Sequence, residues 1–205
     1  MFIVFGLLTG CLGVAYNRLV LGFVDRVKLV PRVPTIAKAA MIGAVIGLVM
    51  FIHPLATGGG DTLTQLLLSG HGMALSVVLG FLALRFVAGP LSYAAAVPGG
   101  LFAPLLAVGT LWGVLFGGIV DLVVPGDLTS LAVPLAIAGM AAFFGATVRA
   151  PVTGIVLVVE MTATTSVVVP MLAATAAAVL AAELLRSPPI YDSLRERMPA
   201  EDAEA

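Results

Sequence analysis

Four stretches of this chain, 39–60, 86–120, 128–148 and 161–182, contain no Asp, Glu, Lys or Arg. A helix rises about 1.5 Å per residue, so each run can reach across about 30 Å of hydrocarbon. With 60% hydrophobic residues, only 10% charged ones and a mean hydropathy of +1.16, the chain belongs to the integral membrane class. A β-barrel would need strands of about ten residues in strict apolar/polar alternation, and no segment alternates in that way. The fold class is therefore all-α integral membrane, made of several spans.

The few charges inform through their position. Arg18, Arg26, Lys28, Arg32 and Lys38 surround one short connection, which the positive-inside rule assigns to the cytoplasm. Arg186, Arg195 and Arg197 put the C-terminus on the same side. A net charge of −1 argues for no acidic or basic partner and so against nucleic acid. The single cysteine, Cys11, can form no intrachain disulfide and reads as a small buried residue. Residues 1–24 are apolar from the second residue onward and lack a basic leader, so a helix is expected there rather than a signal peptide. Gly6, Gly10 and Gly13 offer it close-packing positions.

Interruptions dominate the rest: 23 Gly and 13 Pro punctuate the apolar runs. The pattern predicts helices at 2–27, 36–53, 61–69, 72–90, 102–121, 130–144, 150–161, 166–185 and 189–198. Those at 61–69, 130–144 and 150–161 fall below the span of about twenty residues and must end inside the protein or re-enter. Backbone freed at such breaks is tolerated only where it is buried or lines a polar cavity, which points to a channel or transporter.

The break at Gly99 to Pro104 is the leading candidate site. Glycines permit a sharp approach to a helix, and Pro104 suits a first turn because its missing N–H would have had no intrahelical partner. Leu101, Phe102 and Ala103 then present amides at the positive end of the helix dipole, where a partly dehydrated anion can be held without a full cation. Taken alone, these residues read equally as an ordinary glycine turn before a buried helix.

Other polar groups in or beside apolar segments carry weaker readings. Asp61 is expected to cap the helix after it, Glu160 to make a structural hydrogen bond, and Glu183 to pair with Arg186. Asp25 lies beside the basic cluster and Asp121 at a helix end. Arg85, inside an apolar run, must be satisfied by carbonyls or a counter-charge, and Arg149 is expected to bond loop carbonyls. His53 and His71 lack companions at metal-ligand spacing, so no metal site is expected. No Walker motif, nucleophile elbow or zinc-protease helix occurs, which argues against an enzyme.

Gly100-x-Phe102-x-Pro104, set within 98–105, resembles the GxFxP signature of the CLC family of chloride channels and chloride/proton exchangers. The block AGMAAFFGATVRAPVTGIVLVVEMT at 138–162 resembles the family's RAPLTG and EMT segment. Pro188 to Tyr191, before a short helix, is similar to the place of its pore tyrosine, and the run Thr57 to Gly60 also fits. The blocks occur in the family's order. The resemblance implies that Gly100, Leu101, Phe102, Ala103, Pro104 and Tyr191 bind chloride, with the N–H groups of Leu101 and Phe102 and the Tyr191 hydroxyl donating to the ion. Read without it, Tyr191 is an interfacial aromatic anchor.

The resemblance covers the C-terminal half of a CLC subunit, the second of two inverted repeats with tilted and broken helices. No GSGIP- or GREGP-type motif, which the first repeat carries, occurs here. The expected organisation is a membrane half-domain over 1–198 and a short cytoplasmic tail over 199–205. The implied function is transmembrane chloride transport, as a voltage-gated-type channel or a proton-coupled exchanger, completed by the missing N-terminal repeat. The alternative is a truncated half-subunit with no transport of its own, acting as an assembly module or remnant. Chloride and protons are the implied ligands, with no cofactor. A homodimer through 150–161 and 166–185 is expected, in a prokaryotic cell membrane with the C-terminus cytoplasmic.

Overall fold

A computed structural model describes residues 1–29, 33–70, 72–95, 100–124 and 129–197. Gly99, His71, Arg32 and the tail at 199–205 lie outside them. The described elements are helical: α1 (Phe2–Lys28), α2 (Thr35–Ile52), α3 (Asp61–Leu68), α4 (Leu75–Tyr93), α5 (Phe102–Val123), α6 (Ala132–Val148), α7 (Pro151–Thr162), α8 (Val168–Leu184) and α9 (Ile190–Arg195). Only α1, α2, α4 and α5 are long and apolar enough to cross a membrane unaided. The helices expected to be short are short, with 8 residues in α3, 17 in α6 and 12 in α7, and α8, expected over 166–185, has only 17.

Proline and left-handed residues set the boundaries. Pro104, Pro134, Pro151 and Pro170 each fall within the first three residues of α5 to α8, where a missing N–H costs nothing. Arg149 and Ala163, with φ of 66° and 51°, end α6 and α7, and Arg186 at φ 51° turns the chain after α8. Helix α6 runs four residues past the expected end at 144, to Val148, because nothing before the left-handed Arg149 breaks it. Its late end gains Thr147 a buried place. In the other direction, α9 stops at Arg195 instead of 198.

Helix α6 is the core. Every residue from Leu135 to Thr147 is buried, and α5, α1, α8 and α7 pack around it. Close approach is made by residues without bulk. A Cβ on Gly6 or Gly10 of α1 would strike the backbone of Ala174 or Ala178 on α8, and one on Gly113 of α5 the backbone of Leu135 on α6. The early glycines thus do what their spacing suggested. Helix α2 is the opposite case: it is apolar beyond Lys38, yet none of its residues is buried, so its surface needs lipid or protein to cover it.

Several local expectations are corrected. Cys11 is exposed, on a part of α1 turned away from α6 and α8. Asp61 is the first residue of α3, not its cap; Gly60, at φ 94°, holds the cap position without any side-chain bond. Glu183 pairs with Arg149 at 3.3 Å rather than with Arg186. Glu160 is exposed in the last turn of α7 and makes no hydrogen bond among the described residues. Ile155, within the segment expected at a subunit interface, is buried inside the protein.

Candidate anion site

The N-terminus of α5 is built to leave amides open. Leu101 is buried and its carbonyl accepts from Leu105 N–H at 3.0 Å, closing the first turn. The N–H groups of Phe102 and Ala103 precede that bond, and no side chain among the described residues caps the helix. Phe102 packs edge-on against Phe144 of α6, with centroids 5.3 Å apart at 77°. This contact ties the start of α5 to the buried core helix, so the amides are carried on a rigid element.

Gly100 serves differently from the expectation of a special backbone angle. Its φ is not in the left-handed region, and a Cβ there would lie 3.9 Å from the Phe102 nitrogen. A side chain is therefore sterically possible but would stand beside the amide. Glycine keeps that N–H accessible.

Gly100, Leu101, Ala103 and Pro104 line a cavity of about 410 Å³ together with Tyr93 and Arg85 of α4 and the 57–59 loop. Arg85 is 5% exposed, and its guanidinium donates to the carbonyls of Leu55 (2.7 Å), Thr57 (2.9 Å) and Gly58 (3.1 Å). The carbonyl solution expected from sequence is the one adopted. It leaves a cation solvated by neutral dipoles, with Asp61 acting on it electrostatically, beside the positive end of α5. The cavity wall is accordingly suited to a small anion.

Tyr191 does not line this cavity. It sits in the first turn of α9, 42% exposed, while its neighbours Ile190, Ser193 and Leu194 anchor the helix in the core. Burial pushes its hydroxyl above the ordinary phenol range, and Tyr93 adds to the shift. Tyr93 lines the cavity and contributes electrostatically to the upward shift at Tyr191. The sequence reading passed over Tyr93, although its place at the end of an apolar helix, seven residues before the Gly100 break, is visible in the chain. Among the described residues no group of His, Cys, Asp or Glu could hold a metal.

The fold and this wall define a class: a helical membrane protein with a cavity of about 410 Å³ at the uncapped start of one of its helices. The sequence profile of the family described as voltage gated chloride channel matches residues 1–183, and the chain belongs to that family. It is 37% identical over 200 residues to the H(+)/Cl(-) exchange transporter ClcA of Vibrio campbellii, covering 96% of this chain and 42% of that protein. The ClcA protein of Vibrio parahaemolyticus is 38% identical over the same extent. Among solved structures, a slow cyanobacterial Cl-/H+ antiporter superposes with a TM-score of 0.84 at 33% identity, covering 96% of this chain and 46% of that one. A eukaryotic CLC transporter, 22% identical, shares the fold with a TM-score of 0.79. The CLC fold expected from sequence is thus confirmed. The chain spans less than half the length of the curated relatives it matches.

Proposed function

We propose that this chain forms one wall of a transmembrane chloride pathway, in which the N–H groups of Leu101 and Phe102 hold the ion and the Tyr191 hydroxyl donates to it from the cytoplasmic side. The observation that carries the reading is the uncapped start of α5 opening onto a cavity flanked by buried Arg85. Amides and a phenol offer directional donors with only fractional charge, so an ion is bound yet can leave. Gly100, Ala103 and Pro104 shape the same wall.

On this reading residues 1–198 are a half-domain, 199–205 a cytoplasmic tail, and a first inverted repeat supplies the opposite wall, the gate and any proton coupling. The bare apolar surface of α2 supports a further protein layer. The relatives' printed activity, H(+)/Cl(-) exchange, and their bacterial sources support a proton-linked chloride transporter of a prokaryotic cell membrane. Transport needs no cofactor and makes or breaks no covalent bond.

The test is chloride efflux from liposomes driven through valinomycin. The 205-residue chain alone is expected to be silent, and the same chain joined to a CLC first repeat to be active and to lose activity on Tyr191→Ala. Efflux by the chain alone would overturn the need for a partner repeat. Silence of the joined protein would favour an assembly module without transport.

A further inference from the structure

Three helix ends meet where the chain approaches Tyr191. Arg149, which ends α6 in a left-handed conformation, donates from Nη2 to the Ser187 carbonyl at 2.8 Å and pairs through Nη1 with Glu183 of α8 at 3.3 Å. Asn17, buried in α1, donates from Nδ2 to the carbonyls of Thr147 at 3.2 Å and Pro188 at 3.4 Å. The last turn of α8 closes with Ser187 N–H on Ala182 O at 3.1 Å and Arg186 N–H on Glu183 O at 2.8 Å, a Schellman arrangement that aims the next residues back across the bundle. Pro188 and Pro189 then stiffen the link to α9.

The carbonyls of Ser187 and Pro188 are therefore the only handles between α8 and the residue before Tyr191 that side chains grip among the described hydrogen bonds, and both are gripped from outside α9. Helix α9 has only six residues, too short to hold its own conformation. Its far end is held by buried Ser193 and Leu194 and, just beyond, by the Arg197–Asp25 pair at 3.1 Å, so the entry at Pro188 to Ile190 is where a shift would swing Tyr191. The two carbonyl bonds fix that entry.

We propose that Arg149 and Asn17 are positioning residues that set the direction of the Tyr191 hydroxyl, with Glu183 orienting Arg149. The consequence for chloride rests on Tyr191 being an anion donor, but the positioning itself can be read without any anion.

The chain contains three tyrosines, Tyr16, Tyr93 and Tyr191, so uniform 3-fluorotyrosine labelling gives ¹⁹F resonances that Tyr→Phe variants assign. In detergent-purified protein, Arg149→Gln is expected to move the Tyr191 resonance toward that of free fluorotyrosine and to change its linewidth roughly twofold, while Tyr16 stays in place. Arg149→Lys should restore part of the shift, and exposed Glu183→Gln, which cannot unfold the core, should produce a smaller displacement in the same direction. An unmoved Tyr191 signal in both Arg149→Gln and Glu183→Gln overturns the proposal. Chloride titration of the protein completed by a first repeat separates the two ideas: a Tyr191 signal that ignores chloride but responds to Arg149→Gln refutes the anion role and upholds the positioning.

Discussion

Gly109 on α5 and Gly139 on α6 meet backbone to backbone: a Cβ built on either would fall on the other's carbonyl oxygen. The pair sets how closely the helix bearing the open amides lies on the core helix. Gly139→Ala should push the two apart and lower stability by about 1–3 kcal/mol, the usual cost of overpacking. Thermal unfolding followed by size-exclusion chromatography in detergent measures it, and an unchanged melting temperature would show that α5 is held elsewhere. Gly43 of α2, with nothing within 4 Å of its would-be Cβ, is the control that should tolerate alanine.

Arg85 clamps the loop across the cavity. Arg85→Met removes the donors to three loop carbonyls at once and should cost at least about 3 kcal/mol, given about 1–3 kcal/mol for each buried acceptor left unpaired. Arg85→Lys keeps the charge but not the planar fork, so its loss should be intermediate. Equal melting temperatures for the methionine variant and the parent would show that the carbonyls find other partners.

The helices and their glycine contacts were legible because Gly and Pro punctuate the chain and because close packing needs small residues at regular spacing. Which way each helix faces was not. In α1 and α7 the side turned to lipid is as apolar as the side turned to protein, so periodicity carries no orientation, and both the exposure of Cys11 and the burial of Ile155 were hidden. The candidate site was half legible. The Gly100 to Pro104 wall is contiguous in sequence, whereas Tyr93 and Tyr191 lie 98 residues apart, on α4 and α9, and their electrostatic influence on one another follows from tertiary packing that no local pattern encodes.

Val152, Val156, Val169 and Leu172 present an exposed apolar face on α7 and α8, where a homodimer contact is proposed. Leu172→Trp should shift purified protein in mild detergent from dimer to monomer, read by light scattering. No change would assign the face to lipid. Ile155 is unsuited to this test, since it is buried within the chain.

Arg186 adopts φ 51°, a conformation that disfavours a residue with a Cβ by about 1–2 kcal/mol. Arg186→Gly should relieve that strain and, after the added freedom of the unfolded chain, raise stability by about 0.5–1 kcal/mol. A lowered melting temperature would mean that the exposed side chain has a stabilising partner in the assembled protein.

The Tyr191 hydroxyl is held above the ordinary phenol value by burial and by Tyr93, so the proposed chloride donor carries a pH dependence of defined sign. In the proposed site the neutral phenol would donate to the ion, and the phenolate would lose the donor and repel it. Because the shift is upward, the donor form prevails below the ordinary phenol value of about 10 and is lost only above it. Chloride affinity of the completed protein, measured by calorimetry, should therefore be flat from about pH 7 to about pH 9.5 as far as this residue is concerned. Tyr191→Phe should weaken binding across that whole range by about tenfold, the worth of one hydrogen bond to a charged partner. A Tyr191-dependent decline that begins near neutrality would contradict the upward shift, and an unaltered affinity in Tyr191→Phe would leave the amides of Leu101 and Phe102 as the site's donors without the phenol.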